Sequence, residues 1–588
     1  MVEPAVLGIE RSLTGRRWTW RHGPPAAPGS GAPAAGLSGL TAALLRARGG
    51  PDADLARLAA PRLRDWLPPP GALIDLERAA DRLAAAIMGG ERVAILGDYD
   101  VDGATSTALL MRFLRALGAP PLVHIPDRLR EGYGPSAPAL AALAGAGARL
   151  VVTVDCGAQA FAPLAAARTL GLDIIVADHH QCAPALPQAH AVVNPNRLDQ
   201  PPGWGHLAAV GVCFLLAAAT ARALREQGWF DARPAPDLLA LLDLVALGTV
   251  ADVVPLTTLN RAFVAQGLKV MARGSNVGLA ALMAVAGVKG PPDAATLGFR
   301  LGPRVNAGGR VGEAGLGARL LATDDPGEAA GIAATLDRLN AERRAIEALV
   351  LDAAMAQAEA QADAPVVVVH APGWHPGVIG IVAGRLKEAT GRPAVVIDAH
   401  SGKGSGRSIA GVDLGAAVVA AREAGLLAAG GGHAMAAGLT MASPADVPAL
   451  ARFLGDALAG AVSVARAGGD ALRLDVALAP AGLGPGLADA LDAAGPYGQG
   501  WPAPRVAVGP ARVVDVRPVG SDHVRLVATG RDGARLKAVA FRAAGRPLGA
   551  ALAASAGRQL HLAGRVARDD WNGRAGAELH LDDAAAAD

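Results

Sequence analysis

The sequence has few cysteines, few aromatic residues and little net charge, and each of these shortages argues against a class of protein or of binding site. Its 588 residues include only three cysteines, which fit neither a disulfide framework nor a zinc site and suit a reducing cytoplasm. Aromatic residues make up 3% of the chain, so extensive stacking on nucleic-acid bases is not expected. A net charge of +2 provides no global field for a polyanion, although it leaves room for a local basic channel.

Long uncharged apolar segments are scarce as well. No run of roughly 18 uncharged apolar residues occurs, which is the length that a membrane-spanning helix needs. The N-terminus, MVEPAVLGIERSLTGRRW, carries charge where a signal peptide needs an apolar core. We therefore expect a soluble, monomeric protein of the cytoplasm that has no membrane partner.

The apolar residues that are present indicate an α/β fold. Short apolar runs alternate with Ala/Leu-rich helical stretches between about Pro68 and Asn196. This alternation predicts a mostly parallel sheet with helices on both faces. The predicted strands are Val93–Leu96, Leu122–Ile125, Leu150–Val154, Ile174–Val176 and Ala191–Val193.

Patterning divides the chain into several domains, as its length also requires. A Pro/Gly/Ala-rich start indicates a loosely ordered extension, and a helix-forming region that ends in one long helix precedes a second α/β segment. Alternating β-branched runs after about Ala471 suit a small barrel of short antiparallel strands. The expected parts are an N-terminal extension (1–65), a catalytic α/β domain (66–270), a helical connector (271–362), a second α/β domain (363–465) and a β-barrel (466–588).

Three aspartates follow the first predicted strand. Asp98, Asp100 and Asp102 stand at alternating positions in GDYDVDG, directly after Val93–Leu96. The carboxyl ends of strands are where open α/β sheets place their chemistry. Because three close carboxylates repel one another unless a cation neutralises them, the stretch favours a divalent metal. Taken alone, it could equally be an Asp-rich turn that caps a helix.

Other chain segments end in similar residues. Asp155 follows Leu150–Val154, and His179 and His180 come after Asp178 at the end of the next strand. An apolar helix pattern then brings Asp252 and also carries Asp243. Several such clusters on one sheet edge are hard to obtain by chance, so we expect a shared metal site. A core histidine is the alternative for His180, and local capping or pairing is the alternative for Asp243.

The types of ligand restrict the metal and the reaction. Carboxylates with imidazoles and no thiolate suit Mn²⁺ or Mg²⁺, and several carboxylates can bridge two ions about 4 Å apart. Two such ions can lower the pKa of a bound water and stabilise charge on a phosphate oxygen. We therefore expect hydrolysis of a phosphoester or a phosphoanhydride.

The sequence also resembles a known family. The segments GDYDVDG, VTVDCG, ADHH and LGTVADVVPL resemble the four motifs of the DHH phosphoesterases. Within that superfamily the chain is more similar to the RecJ single-strand-specific exonucleases, over roughly residues 70 to 585. The further matching segments are IPDRLREGYGPS, VVNPN, FRLGPRVNAGGR, WHPGVIGIVAGRL, GSGRSIAGVDL and GGHAMAAGL.

The resemblance implies roles for the strand-end residues. Asp98 would ligate or orient the shell of the first ion, and Asp155 would bridge both ions. Asp100 and Asp102 would serve different ions. Asp178 would contact a histidine rather than an ion and would hold that histidine in its tautomer. His180 would lie close to the reacting phosphate. The implied catalytic set is Asp100, Asp102, Asp155, His179, His180 and Asp252, and the implied metal ligands are the same residues with Asp98 added and His180 left out.

Substrate-binding segments follow from the same resemblance. The implied residues are Arg304, Asn306, Arg310, Ser405, Arg407, Ser408 and His433. Ser405 and Arg407 above all would hold a 5′ phosphate and so set the 5′→3′ polarity. The residues alone leave alternatives: Asn/Gly turn chemistry for GPRVNAGGR, a generic anion-binding or flexible loop for GKGSGRSIAG, and a structural glycine turn for GGGHAMAAG.

For the rest of the chain, the resemblance implies a DHH-associated second α/β domain and an OB-fold for the barrel. OB-folds often bind single strands through basic and aromatic side chains. Arg505, Arg525, Lys537 and Arg542 are the candidates in this barrel. A solvated strand face is the alternative explanation for each of them.

The predicted function is that of a cytoplasmic, Mn²⁺- or Mg²⁺-dependent exonuclease with two ions. It would degrade single-stranded DNA from the 5′ end to mononucleotides in recombination and repair, with a single-strand-binding protein and a helicase as candidate partners. One alternative is a DHH phosphodiesterase for short oligonucleotides or cyclic dinucleotides, or a pyrophosphatase; the predicted barrel argues against these. A non-catalytic single-strand-binding protein is the other, and the complete ligand set argues against it.

Overall fold

The fold was taken from a computed structural model of the chain. It describes residues 4–23, 37–51, 54–128, 130–467, 469, 471–569 and 576–587. These residues form two compact units. The first unit comprises Met1–Gly302, Gly317–Ala330 and Ala471–Asp588, and the second comprises Pro303–Leu316 and Gly331–Asp470.

Strands and helices alternate through most of the chain. The strands are β1 Trp18–Trp20, β2 Val93–Leu96, β3 Leu122–His124, β4 Leu150–Val154, β5 Asp173–Ala177, β6 Ala191–Val193, β7 Val367–Ala371, β8 Ala394–Asp398, β9 Lys403–Arg407, β10 Leu427–His433, β11 Ala436–Met441, β12 Leu472–Leu474, β13 Val476–Leu478, β14 Val506–Val519, β15 His523–Gly530, β16 Arg535–Ala540, β17 Gln559–Arg568 and β18 Ala577–Ala586. The helices are α1 Gly39–Ala47, α2 Leu55–Ala59, α3 Leu76–Met88, α4 Val101–Ala116, α5 Ala137–Gly145, α6 Phe161–Thr169, α7 Ala209–Glu226, α8 Leu242–Ala251, α9 Thr258–Met271, α10 Val277–Val285, α11 Gly302–Val311, α12 Leu316–Ala322, α13 Pro326–Glu359, α14 Pro376–Thr390, α15 Leu414–Glu423, α16 Val447–Ala467, α17 Pro485–Asp492 and α18 Pro547–Ala553.

The first unit contains the parallel sheet that the sequence predicts. Its five strands lie in the order β3-β2-β4-β5-β6, and every pair is parallel. Strands β2 and β4 are buried throughout, as expected when helices cover both faces. Because the chain passes from β2 to β3 on one side and then to β4 on the other, the strand order reverses between β2 and β4. Such a reversal opens a crevice at the carboxyl ends of the two strands.

The C-terminal part of the first unit is the predicted barrel. Its strands lie in the order β13-β14-β15-β16-β18-β17, and an additional pairing of β14 with β17 closes the sheet. The pairs β13–β14 and β16–β18 are parallel, whereas antiparallel strands alone were expected. Alternate residues of β15 point inward, so that Val524, Leu526 and Ala528 enter the barrel core.

The N-terminal segment differs from its expectation where it is described. The prediction of loose order is wrong for its strand, because β1 pairs in parallel with β12 and Trp18 is fully buried. The Trp18 indole donates a hydrogen bond to Asp583 at the far end of the chain. Residues 24–36 of the same predicted extension lie outside the described residues.

The second unit contains the segment predicted as the second α/β domain, together with most of α11 and α13, and its sheet is mixed. The strands lie in the order β10-β11-β9-β8-β7, with β7 and β8 parallel and the other pairs antiparallel. Among the described residues, only Pro444–Ala467 forms a helix that is long and apolar enough to cross a membrane. One face of that helix packs into the core of the unit through Val447, Leu450 and Leu454.

A buried arginine joins the barrel to the catalytic domain. Arg261 of α9 is fully buried and stacks on the Trp501 ring at 4.5 Å. Its guanidinium donates to the carbonyls of Leu58 at 3.0 Å, Pro496 at 3.0 Å and Ala494 at 2.7 Å, and also to that of Gly495. Burial lowers the pKa of Arg261 to about 10. Backbone carbonyls therefore provide the hydrogen bonds that this buried charge no longer receives from water.

Removing this guanidinium should destabilise the first unit. An Arg261→Ala variant leaves buried carbonyls without donors, so we expect a loss of about 3 kcal/mol in the free energy of unfolding. Urea denaturation followed by circular dichroism measures it. Lys269→Ala, on the exposed side of the same helix, is the matched control and should stay within about 0.5 kcal/mol. Equal stability of the two variants would contradict this role of Arg261.

Candidate metal centre and substrate-binding residues

Acidic and histidine side chains meet at the carboxyl edge of the parallel sheet, where the strand order reverses. Ligand atoms lie within 4.8 Å of one another in three groups. The groups are Asp98 with Asp100 and Asp155, Asp102 with His179 and Asp252, and Asp155 with His179 and His180. The structure thus brings together all seven strand-end and helix-end residues that the sequence singled out for the metal site or the reacting phosphate.

Asp155 lies at the centre of this cluster and belongs to two of its groups. It is 2% exposed, and its Oδ1 atom has no hydrogen-bond partner among the described residues. Its backbone is left-handed, with φ at 60°. This conformation is costly for a residue with a side chain. Two hydrogen bonds hold it in place: the Asp155 amide donates to the Ala177 carbonyl at 3.0 Å, and the Tyr133 hydroxyl donates to the Asp155 carbonyl at 2.8 Å.

Asp100 and Asp102 are held by helix N-termini. Asp100 precedes α4, and its Oδ1 accepts from the Gly103 amide at 3.0 Å. The helix-capping interpretation is therefore correct for Asp100, in addition to its place in the cluster. Asp102 accepts from the Ala209 and Val210 amides at 2.6 and 2.9 Å, at the start of α7. The partial positive charge of that helix end stabilises the buried carboxylate.

Glycines let the backbone close in around these aspartates. A Cβ on Gly103 would lie 2.5 Å from the Asp98 carbonyl oxygen. A Cβ on Gly248 of α8 would lie 2.3 Å from Thr105 Oγ1 and 3.0 Å from Asp102 Oδ1. These approaches are closer than a side chain permits, so both positions require glycine.

His179 directs one ring nitrogen at three carboxylates. Its Nε2 lies 3.4 Å from Asp155 Oδ1, 3.5 Å from Asp252 Oδ2 and 3.9 Å from Asp102 Oδ2, and it has no hydrogen-bond partner among the described residues. Burial lowers the pKa of His179 to about 4. A neutral imidazole with a free nitrogen is the form that binds a metal ion.

His180 is held by Asp178 instead. Its Nδ1 lies 2.8 Å from Asp178 Oδ1, which also accepts from the His179 and His180 amides. Burial alone would lower the pKa of His180, but the hydrogen bond and the charge of Asp178 raise it to about 9. Burial would likewise raise the pKa of Asp178, yet the hydrogen bond to His180 keeps it below its usual value. This geometry agrees with the expected role of Asp178 in fixing a histidine ring.

The electrostatics of the cluster call for a cation. Burial, followed by repulsion from neighbouring carboxylates, raises the pKa of Asp98 to about 8, of Asp102 to about 7 and of Asp252 to about 9. It raises that of Asp155 well above the usual value. Unpartnered atoms on Asp98, Asp155 and His179 converge here. Oxygen and imidazole donors with no thiolate fit Mn²⁺ or Mg²⁺.

Asp243 lies outside this arrangement. It is in the first turn of α8, 1% exposed, and belongs to none of the three groups. Its Oδ1 accepts from the Leu244 amide at 2.7 Å, and burial raises its pKa to about 6. The local alternative for Asp243 therefore agrees with the structure.

In the second unit, Ser405 and Arg407 lie on a strand. The interpretation of GKGSGRSIAG as a loop is wrong for residues 403–407, which form β9 between β8 and β11. Arg407 Nη1 donates to Ser405 Oγ at 3.2 Å and to the Gly406 carbonyl at 2.8 Å. A Cβ on Gly380 of α14 would lie 3.0 Å from Ser405 Oγ, so a glycine there makes room for this pair. Both side chains are partly exposed.

Ser408 and His433 occupy different environments. Ser408 is 1% exposed, and its hydroxyl donates to the Val412 carbonyl at 2.8 Å, so it supports the turn after β9. His433 is exposed at the end of β10, beside the turn into β11. The segment GGGHAMAAG thus belongs to the β-hairpin formed by β10 and β11, and it is not an isolated glycine turn.

The segment GPRVNAGGR is helical. The turn alternative is wrong, because α11 spans Gly302–Val311 and directly follows a π-helical turn at Thr296–Leu301. Arg304 Nε donates to Asp337 at 2.8 Å, and Arg310 Nη1 donates to the Gly377 carbonyl at 2.9 Å. Asn306 lies between them on the same helix and is half-buried.

The barrel divides its four basic candidates into two pairs. Arg505 forms an ion pair with Asp582 at 2.7 Å, and Lys537 forms one with Asp569 at 2.9 Å. Arg525 and Arg542 have no carboxylate partner among the described residues. The last two cations are therefore the ones available to a phosphate backbone.

Sequence reasoning assigned no role to three residues near the centre. Tyr133 contacts Asp155 and His180, Asn194 Nδ2 donates to the His180 carbonyl at 2.9 Å, and Asn196 Nδ2 donates to the His179 carbonyl at 2.6 Å. Tyr133 lies in IPDRLREGYGPS, and Asn194 and Asn196 lie in VVNPN. Both segments contribute to the family resemblance, which is the sequence observation that points to these three residues.

Comparisons with known proteins cover the same regions. Family models match the DHH family N-terminal domain at residues 92–249, the DHHA1 domain at 363–460 and the RecJ OB domain at 474–583. A relative from Bacillus subtilis, named single-stranded-DNA-specific exonuclease RecJ, is 35% identical over 93% of this chain and 68% of its own length.

Solved structures are similar as well. The structure of RecJ from Thermus thermophilus in complex with Mn²⁺ has a TM-score of 0.74 and 31% identity, covering 94% of this chain and 76% of that one. The same protein in complex with Mg²⁺ has a TM-score of 0.70 and 31% identity, covering 93% and 75%.

Loss of the central carboxylate should abolish metal binding. We expect Asp155→Asn to weaken Mn²⁺ binding at least 100-fold, because two of the three groups lose a charged oxygen. Isothermal titration calorimetry measures the affinity. Asp243→Asn is the matched control, since it removes another buried carboxylate outside the groups, and it should bind Mn²⁺ as the wild type does. Unchanged affinity of Asp155→Asn would rule out this centre.

Proposed function

The chain belongs to the RecJ family of single-stranded-DNA-specific exonucleases, and on this premise we propose that it degrades single-stranded DNA from the 5′ end to mononucleotides. It is a metal-dependent hydrolase of phosphodiester bonds. The observation that carries the proposal is the buried cluster around Asp155, whose unpartnered oxygen and nitrogen atoms suit divalent ions. The RecJ OB match at 474–583 favours this function over that of a DHH phosphodiesterase for short substrates.

The cluster provides for two ions with one shared ligand. Asp98 and Asp100 would hold one ion, Asp102, His179 and Asp252 would hold the other, and Asp155 would contribute to both. This division follows the three groups of ligand atoms. Two Mn²⁺ or Mg²⁺ ions bound there would activate a water and neutralise charge on the phosphodiester.

The protein's own groups prepare the cluster for this chemistry. The α7 amides and the α4 N-terminus fix Asp102 and Asp100, so these carboxylates need not reorganise when charge develops. Asp178 holds the His180 ring through Nδ1 and leaves its Nε2 for the phosphate. His180 would then stabilise the charge on the transferring phosphate.

The second unit would supply the end recognition. Ser405 and Arg407 form a paired hydroxyl and guanidinium on β9, which suits a terminal phosphate. Exposed His433 could donate to the same group, while Arg304, Asn306 and Arg310 on α11 would contact the strand. Ser408 would hold the turn after β9. Anchoring of the 5′ phosphate in this way gives the 5′→3′ polarity.

The barrel would hold the rest of the DNA strand mainly through contacts with the phosphate backbone of the DNA. Of the four candidate cations, Arg525 and Arg542 have no carboxylate partner among the described residues, and few aromatic side chains are available for stacking. We also propose a cytoplasmic monomer that acts in recombination and repair, with a single-strand-binding protein and a helicase delivering the substrate. Stimulation of the nuclease by either protein, and light scattering of the chain alone, test these points.

End-labelled substrates test the proposed function directly. With Mn²⁺, the protein should release label first from the 5′ end of single-stranded DNA, and it should leave duplex DNA and a cyclic dinucleotide intact. EDTA should abolish release, because the carboxylates lose the ions that they hold. Gel electrophoresis of 5′- and 3′-labelled strands follows the reaction. Release from the 3′ end, equal cleavage of duplex or activity in EDTA would overturn the proposal.

The 5′-phosphate role of Arg407 has its own test. Arg407→Ala should raise KM for 5′-phosphorylated strands about 10-fold or more, because a charge-assisted hydrogen bond to phosphate is lost. The KM for strands with a 5′ hydroxyl should change far less, and kcat should stay close to wild type. Arg452→Ala, an exposed arginine of the same unit, is the control. Equal effects on both kinds of end would remove Arg407 from this role.

A further inference from the structure

The loop between β3 and α5 places Tyr133 against the metal centre, where it is neither one of the expected metal ligands nor one of the proposed DNA contacts. The Tyr133 side chain has two distinct parts. The residue is 52% exposed, but its hydroxyl lies inward, 2.8 Å from the Asp155 carbonyl oxygen and 3.2 Å from His180 Nδ1. The rings of Tyr133 and His180 meet edge to face at 5.7 Å.

Hydrogen-bond accounting fixes the direction of these contacts. A backbone carbonyl can only accept, so the single phenolic hydrogen of Tyr133 is donated to Asp155. The Tyr133 oxygen therefore presents a lone pair to His180 Nδ1. The other neighbour of that nitrogen is Asp178 Oδ1 at 2.8 Å, which also accepts. Two acceptors facing one nitrogen require that Nδ1 carries the hydrogen.

This arrangement determines which nitrogen of His180 is free to act. Because Nδ1 and its hydrogen are engaged by Asp178 and Tyr133, Nε2 is the nitrogen of His180 that is left to act on a phosphate. Asp178 restrains the His180 ring through one hydrogen bond to Nδ1. The Tyr133 oxygen provides a second acceptor for the same hydrogen. The left-handed backbone of Asp155 aims its carbonyl at the phenol and so orients the hydroxyl. We propose that Tyr133 is a positioning residue that, together with Asp178, fixes the orientation of the His180 ring for its action on the phosphate.

This inference rests on the proposed function, since it assigns a role within that reaction. It predicts an effect on turnover and not on substrate binding. Tyr133→Phe keeps the ring and removes only the hydroxyl, so kcat on single-stranded DNA should fall about 10- to 100-fold, as is typical when a group that orients an active-site residue is lost. The KM should remain within about threefold of wild type.

Two further measurements separate positioning from a general structural defect. Tyr133→Phe should weaken Mn²⁺ binding by less than about 10-fold, far less than Asp155→Asn does, because the carboxylate of Asp155 is retained and the hydrogen bond from its amide to Ala177 still holds its backbone. In a His180→Ala background, Tyr133→Phe should lower the rate by less than about threefold, since the residue through which it acts is gone. Single-turnover reactions with enzyme in excess keep the slow variants measurable.

Tyr497→Phe is the matched control. Its hydroxyl also donates to a backbone carbonyl, that of Leu491, in the segment that precedes the first long barrel strand. It should leave kcat unchanged. A wild-type kcat for Tyr133→Phe, a loss of Mn²⁺ affinity as large as that of Asp155→Asn, or an undiminished effect in the His180→Ala background would each overturn the role of Tyr133. A wild-type protein that does not cleave single-stranded DNA would overturn the proposed function instead, so the two failures are distinguishable.

Discussion

Mutual repulsion among buried carboxylates is the constraint on which the rest of the catalytic domain depends. Asp98, Asp102, Asp155 and Asp252 are crowded into a low-dielectric edge of the sheet, and their raised pKa values express the cost. The fold meets part of this cost with helix N-termini, and divalent ions account for the remainder. Glycines at positions 103 and 248 permit the crowding. The crowding of carboxylates lowers the local stability of the fold, and it creates a site that favours the binding of cations.

The sheet and its metal cluster could be predicted because the local signals agree with the final contacts. An apolar run that ends in an aspartate places that aspartate at a strand end, whatever surrounds it. Three predicted strands, Val93–Leu96, Leu150–Val154 and Ala191–Val193, match the structure residue for residue. Parallel strands then bring their ends to one edge, so residues as distant in sequence as Asp98 and His179 must meet.

The glycine-rich segments could not be predicted in the same way. Gly302–Val311 is a helix and Lys403–Arg407 is a strand, although both have the composition of loops. Their conformation comes from neighbours distant in sequence, such as Asp337 for Arg304 and the two strands that flank β9. Pairing also decides which barrel cations are free, and the partners of Arg505 and Lys537 lie 77 and 32 residues away. Composition cannot supply such partners.

The joint around Arg261 has a consequence for how the enzyme tolerates its surroundings. Among the described residues, the hydrogen-bond partners of this guanidinium are the peptide carbonyls of Leu58 and of the segment 494–496, and no carboxylate lies within ion-pair distance of it. Carbonyl dipoles do not titrate, and a fully buried contact is poorly screened by salt. Acidification that protonates carboxylates therefore leaves the Arg261 hydrogen bonds between the catalytic domain and the barrel unchanged. This contact is insensitive to pH in the acidic range, unlike the neighbouring ion pair of Arg48 with Asp475, which depends on a carboxylate.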